Sequence, residues 1–166
     1  MKDEIKLAIN EIKSRFPDSY VRDEEFRGDV SIVVKKDEIF DILKFLKENR
    51  EFLFDYLVDV TCIDYMKLKE IERFAVVYNL YSHKDNSRLR IKALVPENDT
   101  TISSVCSLWK GANWLEREVY DMFGITFIGH PDLKRILTPD DFKGHPLRKD
   151  YPLRGRGERE NFKVVK

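Results

Sequence analysis

Apolar residues recur along this chain with two periods, and the switches between them mark its elements. Ile5, Ala8, Ile9, Ile12 and Phe16 repeat at helical spacing, and Pro17 ends the segment. Residues 19–26 read as a strand, Arg27-Gly28-Asp29 as a turn and residues 30–35 as a second strand, so a hairpin is predicted. Asp37 is placed to cap a helix over 38–48, in which Ile39, Phe40, Ile42, Leu43, Phe45 and Leu46 form a broad face to bury. Three strands are predicted over 54–65, 73–82 and 88–95. The near-continuous run Phe74–Tyr81 reads as a central strand, whereas Arg88-Leu89-Arg90-Ile91-Lys92-Ala93 alternates like a strand with one wet face. Pro96-Glu97-Asn98-Asp99 breaks the pattern. Helical spacing returns at Ile102, Val105, Cys106 and Trp109, is interrupted at Gly111, and resumes over 112–123. In that last helix Trp114, Leu115, Val119, Met122 and Phe123 are expected to pack on the sheet. Glu116, Arg117 and Tyr120 would lie largely elsewhere.

The order α-β-β-α-β-β-β-α predicts an α+β fold. Residues 1–125 would form a two-layer domain, with helices on one face of a mixed or antiparallel sheet. Residues 126–166 read as an extended C-terminal docking arm. Pro131, Pro139, Pro146 and Pro152 each fix their own φ and bias the preceding residue toward extended geometry. Such an arm has little core of its own and is expected to take its order from a partner surface.

Charge sharpens this division. The chain has 30 Lys/Arg and 30 Asp/Glu. Residues 1–129 carry 20 basic against 24 acidic side chains, and residues 130–166 carry 10 against 6. A basic arm suits an acidic protein surface; its interleaved acids argue against nucleic acid as the partner. No apolar run approaches the roughly 18 residues of a membrane span. Met1-Lys2-Asp3-Glu4 does not open a signal peptide. The expected place is the cytoplasm, with any membrane reached through a partner. Cys62 and Cys106 lack a CxxC spacing. An iron–sulfur cluster takes about four cysteines, so both read as reduced core thiols.

Several constellations could carry chemistry. Glu118 and Asp121 are neighbours on one helix flank, which allows an acid/base or metal pair, but a solvated or interface flank is the simpler reading. His130 and His145, with Asp132, Asp141 or Asp150, could ligate zinc or iron, yet nothing local fixes their geometry. Arg148-Lys149-Asp150-Tyr151-Pro152 fits a protein-docking segment, because Arg and Tyr dominate interface hot spots. Neither GxGxxG, Walker A nor GxSxG is present.

Glu116, Arg117, Glu118, Asp121, Met122 and Phe123, then His130, Lys134 and the pair Ile136-Leu137, resemble the signature of the C-type subunit of proton-pumping NADH-quinone oxidoreductase, respiratory complex I. The run from Asp140 to Leu153, which includes His145, Arg148, Lys149, Asp150 and Tyr151, resembles that family's tail. The resemblance is dense over 112–154. It implies a structural subunit of the peripheral arm that docks and braces the large quinone-site subunit (D type) beside iron–sulfur subunits. It implies no catalytic residue, metal or cofactor in this chain; FMN, iron–sulfur clusters, NADH and quinone would bind other subunits. It places the chain at the cytoplasmic side of the cell inner membrane, peripherally. Interface or signature roles then fall to Glu116, Arg117, Glu118, Asp121, Phe123, His130, Lys134, Arg135, His145, Arg148, Lys149, Asp150 and Tyr151. The alternative is the equivalent subunit of a membrane-bound hydrogenase or of a ferredoxin- or F420-dependent quinone reductase.

Overall fold

The computed structural model describes residues 2–68 and 70–157; the part of the predicted arm beyond 157 lies outside the described residues. The elements are α1 (Asp3–Arg15), β1 (Tyr20–Phe26), β2 (Asp29–Lys35), α2 (Ile39–Glu48), β3 (Tyr56–Asp64), β4 (Phe74–Ser82), β5 (Ser87–Val95), β6 (Thr101–Ser103), α3 (Ala112–Phe123) and β7 (Thr126–Ile128).

Five strands form one mixed sheet in the order β1-β2-β5-β4-β3. All its pairings are antiparallel except β2 with β5, which run parallel. The predicted hairpin forms at Arg27-Gly28, both at positive φ, a conformation that closes tight two-residue hairpins. β4 is an interior strand, as its apolar run implied. Alternate residues of the sheet, such as Ile32, Phe74, Val76, Tyr78, Ile91 and Val95, meet Ile9 and Ile12 of α1, Ile42, Leu43 and Leu46 of α2, and Val119 and Phe123 of α3 in one core. Successive residues on a strand point to opposite faces, so the helices line one face only. Among the described residues no helix is long and apolar enough to cross a membrane.

Three local expectations change. Glu38, not Asp37, occupies the N-cap of α2, and its side chain makes no cap bond; its carboxylate accepts from Ser19 Oγ instead. The helix expected around 102–109 is absent. Thr101–Ser103 is strand β6, paired in parallel with β7, and turns follow it. Ile102 opposes Phe127 and both are buried. A partner 25 residues away along the chain overrides the local helical spacing. Thr126–Ile128, at the start of the predicted arm, therefore joins the packed body as β7.

Candidate functional site

Helix α3 organises the region that the sequence singled out. It ends at Gly124, whose φ of 75° provides the left-handed cap, with its N–H bonded to Tyr120 O. Ala112, Val119, Met122 and Phe123 face the core. Trp114, expected on the sheet, is instead 63% exposed. Glu116 and Asp121 are 0% exposed and Arg117 is buried, although the helical period put Glu116 and Arg117 away from the packed face. The reason is that α3 is covered on two sides. The sheet takes its apolar face, and the arm folds back over much of the rest. Glu118 and Asp121 are not a pair: Glu118 is exposed while Asp121 is enclosed.

Asp121 holds the arm. Its Oδ2 accepts the backbone N–H groups of Ile136, Leu137 and Thr138 at 3.0, 2.8 and 2.9 Å. Its Oδ1 accepts from Arg135 at 2.7 Å and from the Thr138 hydroxyl. Burial alone would raise this carboxyl, but hydrogen bonds from Thr138, Arg135 and Leu137 outweigh it and hold the group far below the usual carboxylate range. Arg135 also donates to Gly144 O at 3.1 Å. Arg117 donates to the carbonyls of Lys134 and Arg135 at 3.0 and 2.9 Å, so both sides of the same turn are gripped. Further along, His145 Nδ1 bonds Asp121 O at 2.9 Å and Leu147 N–H bonds Met122 O at 3.1 Å. Burial lowers the His145 pKa. Its ring also fills the space where a Cβ on Gly124 would stand.

A second clamp lies at the end of β3. Asp64, buried, accepts from Met66 N–H and Lys149 N–H, both at 2.8 Å, and pairs with Arg73 at 3.1 Å. Burial would raise its pKa; Arg73 and the two amides bring it below the ordinary value. Arg73 also reaches Asp150 at 3.0 Å and pairs with Glu97. The guanidinium groups of Arg73 and Arg148 both lie over the Phe74 ring, at 4.8 and 4.9 Å from its centroid. Tyr151 stands near Phe142, their ring centroids 6.1 Å apart. The arm as far as Asp150 is thus held by its own body, not only by a partner as composition suggested.

The remaining signature residues are placed as follows. Phe123 belongs to the core. Lys134 is exposed and pairs with Asp132 at 2.7 Å. Lys149 is exposed, its contribution being its backbone N–H. His130 is half-buried: Nδ1 accepts from Asp132 N–H at 3.0 Å, so Nε2 carries the hydrogen donated to Asn113 O at 3.1 Å. His130 and His145 do not share a site. His130 lies instead with Cys106 and Glu116, whose ligand atoms and its own are all within 4.8 Å of one another. Glu116 Oε1 accepts Val105 N–H at 2.7 Å, and Cys106 Sγ lies 3.5 Å from Oε2. Burial pushes the Glu116 carboxyl above its ordinary range, against hydrogen bonds from Ser104, Val105 and Cys106. Burial likewise pushes the Cys106 thiol up to about 11, a protonated and unreactive state at neutral pH. No motif in the sequence points to Asp64 and Arg73. The only trace of them there is a charge closing an apolar strand and another opening the next.

Residues 32–157 match the family model described as respiratory-chain NADH dehydrogenase, 30 Kd subunit. A protein from Geotalea uraniireducens (strain Rf4), named as the C-type subunit of NADH-quinone oxidoreductase, is 51% identical over 156 residues, covering 94% of this chain and 92% of that protein. Its namesake from Geobacter sulfurreducens is 49% identical over 156 residues, covering 94% of each. Among solved structures, the trypsin-resistant fragment (1-134) of Nqo5 aligns with a TM-score of 0.67 at 35% identity, over 78% of this chain and 99% of that one. A chain of the membrane-bound sulfane sulfur reductase, an archaeal respiratory membrane complex, aligns with a TM-score of 0.76 at 22% identity, over 99% of this chain and 94% of that one. That last likeness shows a common fold alone.

Proposed function

The chain belongs to the 30 Kd subunit family of respiratory-chain NADH dehydrogenase, and on that premise we propose that it is a structural subunit without a redox cofactor. It docks and braces the large quinone-site subunit (D type) of an NADH-quinone oxidoreductase, beside the iron–sulfur subunits of the peripheral arm. NADH, FMN, iron–sulfur clusters and quinone bind elsewhere in the assembly. The assembly holds this chain at the cytoplasmic face of the inner membrane. The body, with β7 packed into it, carries the stretch that follows Ile128 as the docking arm. That an Nqo5 fragment ending at its residue 134 resists trypsin supports a body able to stand without the arm.

One observation carries the reading. Trp114, Ile128, Leu137, Leu147 and Leu153 are large apolar side chains left exposed on α3, β7 and the arm, Leu153 by 99%. Leu137 and Leu147 are displayed on backbone bonded to the Asp121 carboxylate and the Met122 carbonyl, and Trp114 and Ile128 stand on α3 and β7 themselves. Apolar anchors on a preordered surface bind with less entropy lost on docking. Exposed Lys134, Lys143, Lys149 and Arg154 lie on the same stretch, which suits a partner with an acidic rim. The test replaces Leu137, Leu147 and Leu153 with Asp in the native host. The purified chain should keep its circular dichroism. It should no longer co-purify from detergent-solubilised membranes with an assembly that reduces quinone with NADH. Co-purification at wild-type yield refutes the docking role.

A further inference from the structure

Among the described residues three carboxylates are buried, and they are not alike. Asp64 meets Arg73 and Asp121 meets Arg135. Glu116 is 0% exposed, and no Lys or Arg pairs with it among the described residues. A buried carboxylate without a cation stays neutral or recruits positive charge. Besides the Val105 N–H and the Ser104 hydroxyl, Glu116 faces a thiol and an imidazole, the two side chains that soft and borderline metals prefer.

We propose that Cys106, Glu116 and His130 form a binding site for a divalent metal of the zinc class, at the point where the arm leaves the body. The three ligand atoms lie within 4.8 Å of one another; ligands about 2.0–2.3 Å from one tetrahedral ion stand roughly 3.3–3.8 Å apart, so small side-chain rotations close the set around an ion. Each residue has a ligand atom to give. Glu116 uses Oε1 on Val105 N–H and turns Oε2 toward Cys106 Sγ. Cys106 loses its thiol proton to solvent on binding, and the sulfur gives its lone pair to the metal. His130 gives up one of its two backbone hydrogen bonds. The bond to Asp132 N–H lies in an exposed turn, where water takes over the amide. The other bond then keeps the ring oriented, as a carbonyl does behind a metal-bound histidine.

Cys106 and His130 are only half-buried, so a water completes the tetrahedron from the solvent side. The metal would tie three separate pieces together: the turn after β6, the first turns of α3, and the turn at 129–132. This is a structural clasp, and it holds or fails independently of the docking role proposed above.

The experiment uses the untagged full chain, stripped with chelator, and two probes. Zn2+ is measured by competition with a chromophoric chelator, and Cd2+ by its ultraviolet thiolate-to-metal charge-transfer band. The result expected is one metal per chain and a cadmium band that disappears in Cys106→Ser. Affinity should fall in Cys106→Ser and in His130→Ala by more than the roughly 10–100-fold that loss of a group merely orienting a ligand costs. His83→Gln, remote and exposed, should bind like wild type. Both test positions are half-buried, so these variants keep the core intact where Glu116→Gln would not. Absence of stoichiometric binding, a band that survives Cys106→Ser, or binding lost in His83→Gln would each overturn the site.

Discussion

Replacing Asp121 with Asn removes one charge and changes almost no volume, which makes it the cleanest probe of the arm's attachment. The carboxylate serves three backbone amides on one oxygen and Arg135 with the Thr138 hydroxyl on the other. An amide side chain keeps a single acceptor oxygen. It satisfies one set and turns an NH2 donor toward the other. Breaking a buried ion pair by removing one partner costs about 3–5 kcal/mol, and each stranded amide adds about 1–3 kcal/mol. The turn at 135–138 lies at the surface, half-buried to exposed, so water recovers part of this. A net loss of about 3 kcal/mol is expected, which is roughly a hundredfold in the opening equilibrium. Native-state hydrogen exchange measures it directly, because the amides of Ile136, Leu137 and Thr138 are the ones bonded to the carboxylate. They should exchange about a hundredfold faster in Asp121→Asn. In Glu118→Gln, one turn earlier on the exposed side, they should exchange as in wild type. Protection of residues 136–138 within threefold of wild type in Asp121→Asn would refute the latch.

The same carboxylate sets a pH dependence. Its folded-state pKa is depressed, so its stabilisation is complete above the unfolded value of about 3.9 and is lost as pH falls toward the folded one. The stability gap between wild type and Asp121→Asn should therefore be constant above about pH 5 and about 1 kcal/mol smaller at pH 3; denaturant melts showing an unchanged gap at pH 3 would contradict this. Gly124→Ala should destabilise by about 1–3 kcal/mol, lowering Tm by about 3–10 °C. It combines a positive φ of 75° with a Cβ 2.6 Å from the His145 ring, and that ring is held by Asp121 O and Tyr120. Adding His145→Ala should remove the clash but not the backbone strain, so a thermal melt of the double variant that recovers fully, or of the single variant that does not move, speaks against this packing.

The sequence by itself determined the α+β class, the hairpin at Arg27-Gly28, the interior character of Phe74–Tyr81 and the bounds of α3, because each rests on a period or turn read within a few neighbours. It also displayed the signature residues whose resemblance to a family the comparisons bear out. What it left undecided is which polar residues are buried. A hydrophobic period reports the side of a helix that meets the core, but not whether something covers the other side. Glu116, Arg117 and Asp121 are enclosed only because Val105, Lys134, Arg135 and Ile136–Thr138 are brought to them from 11 to 18 residues away. Asp64 becomes a clamp only when Arg73 and, 85 residues on, Lys149 arrive beside it. β6 is a strand only because β7 is there to pair with it. A charge enters a protein interior when its hydrogen-bond partners are delivered with it, and that delivery was decided by the tertiary structure.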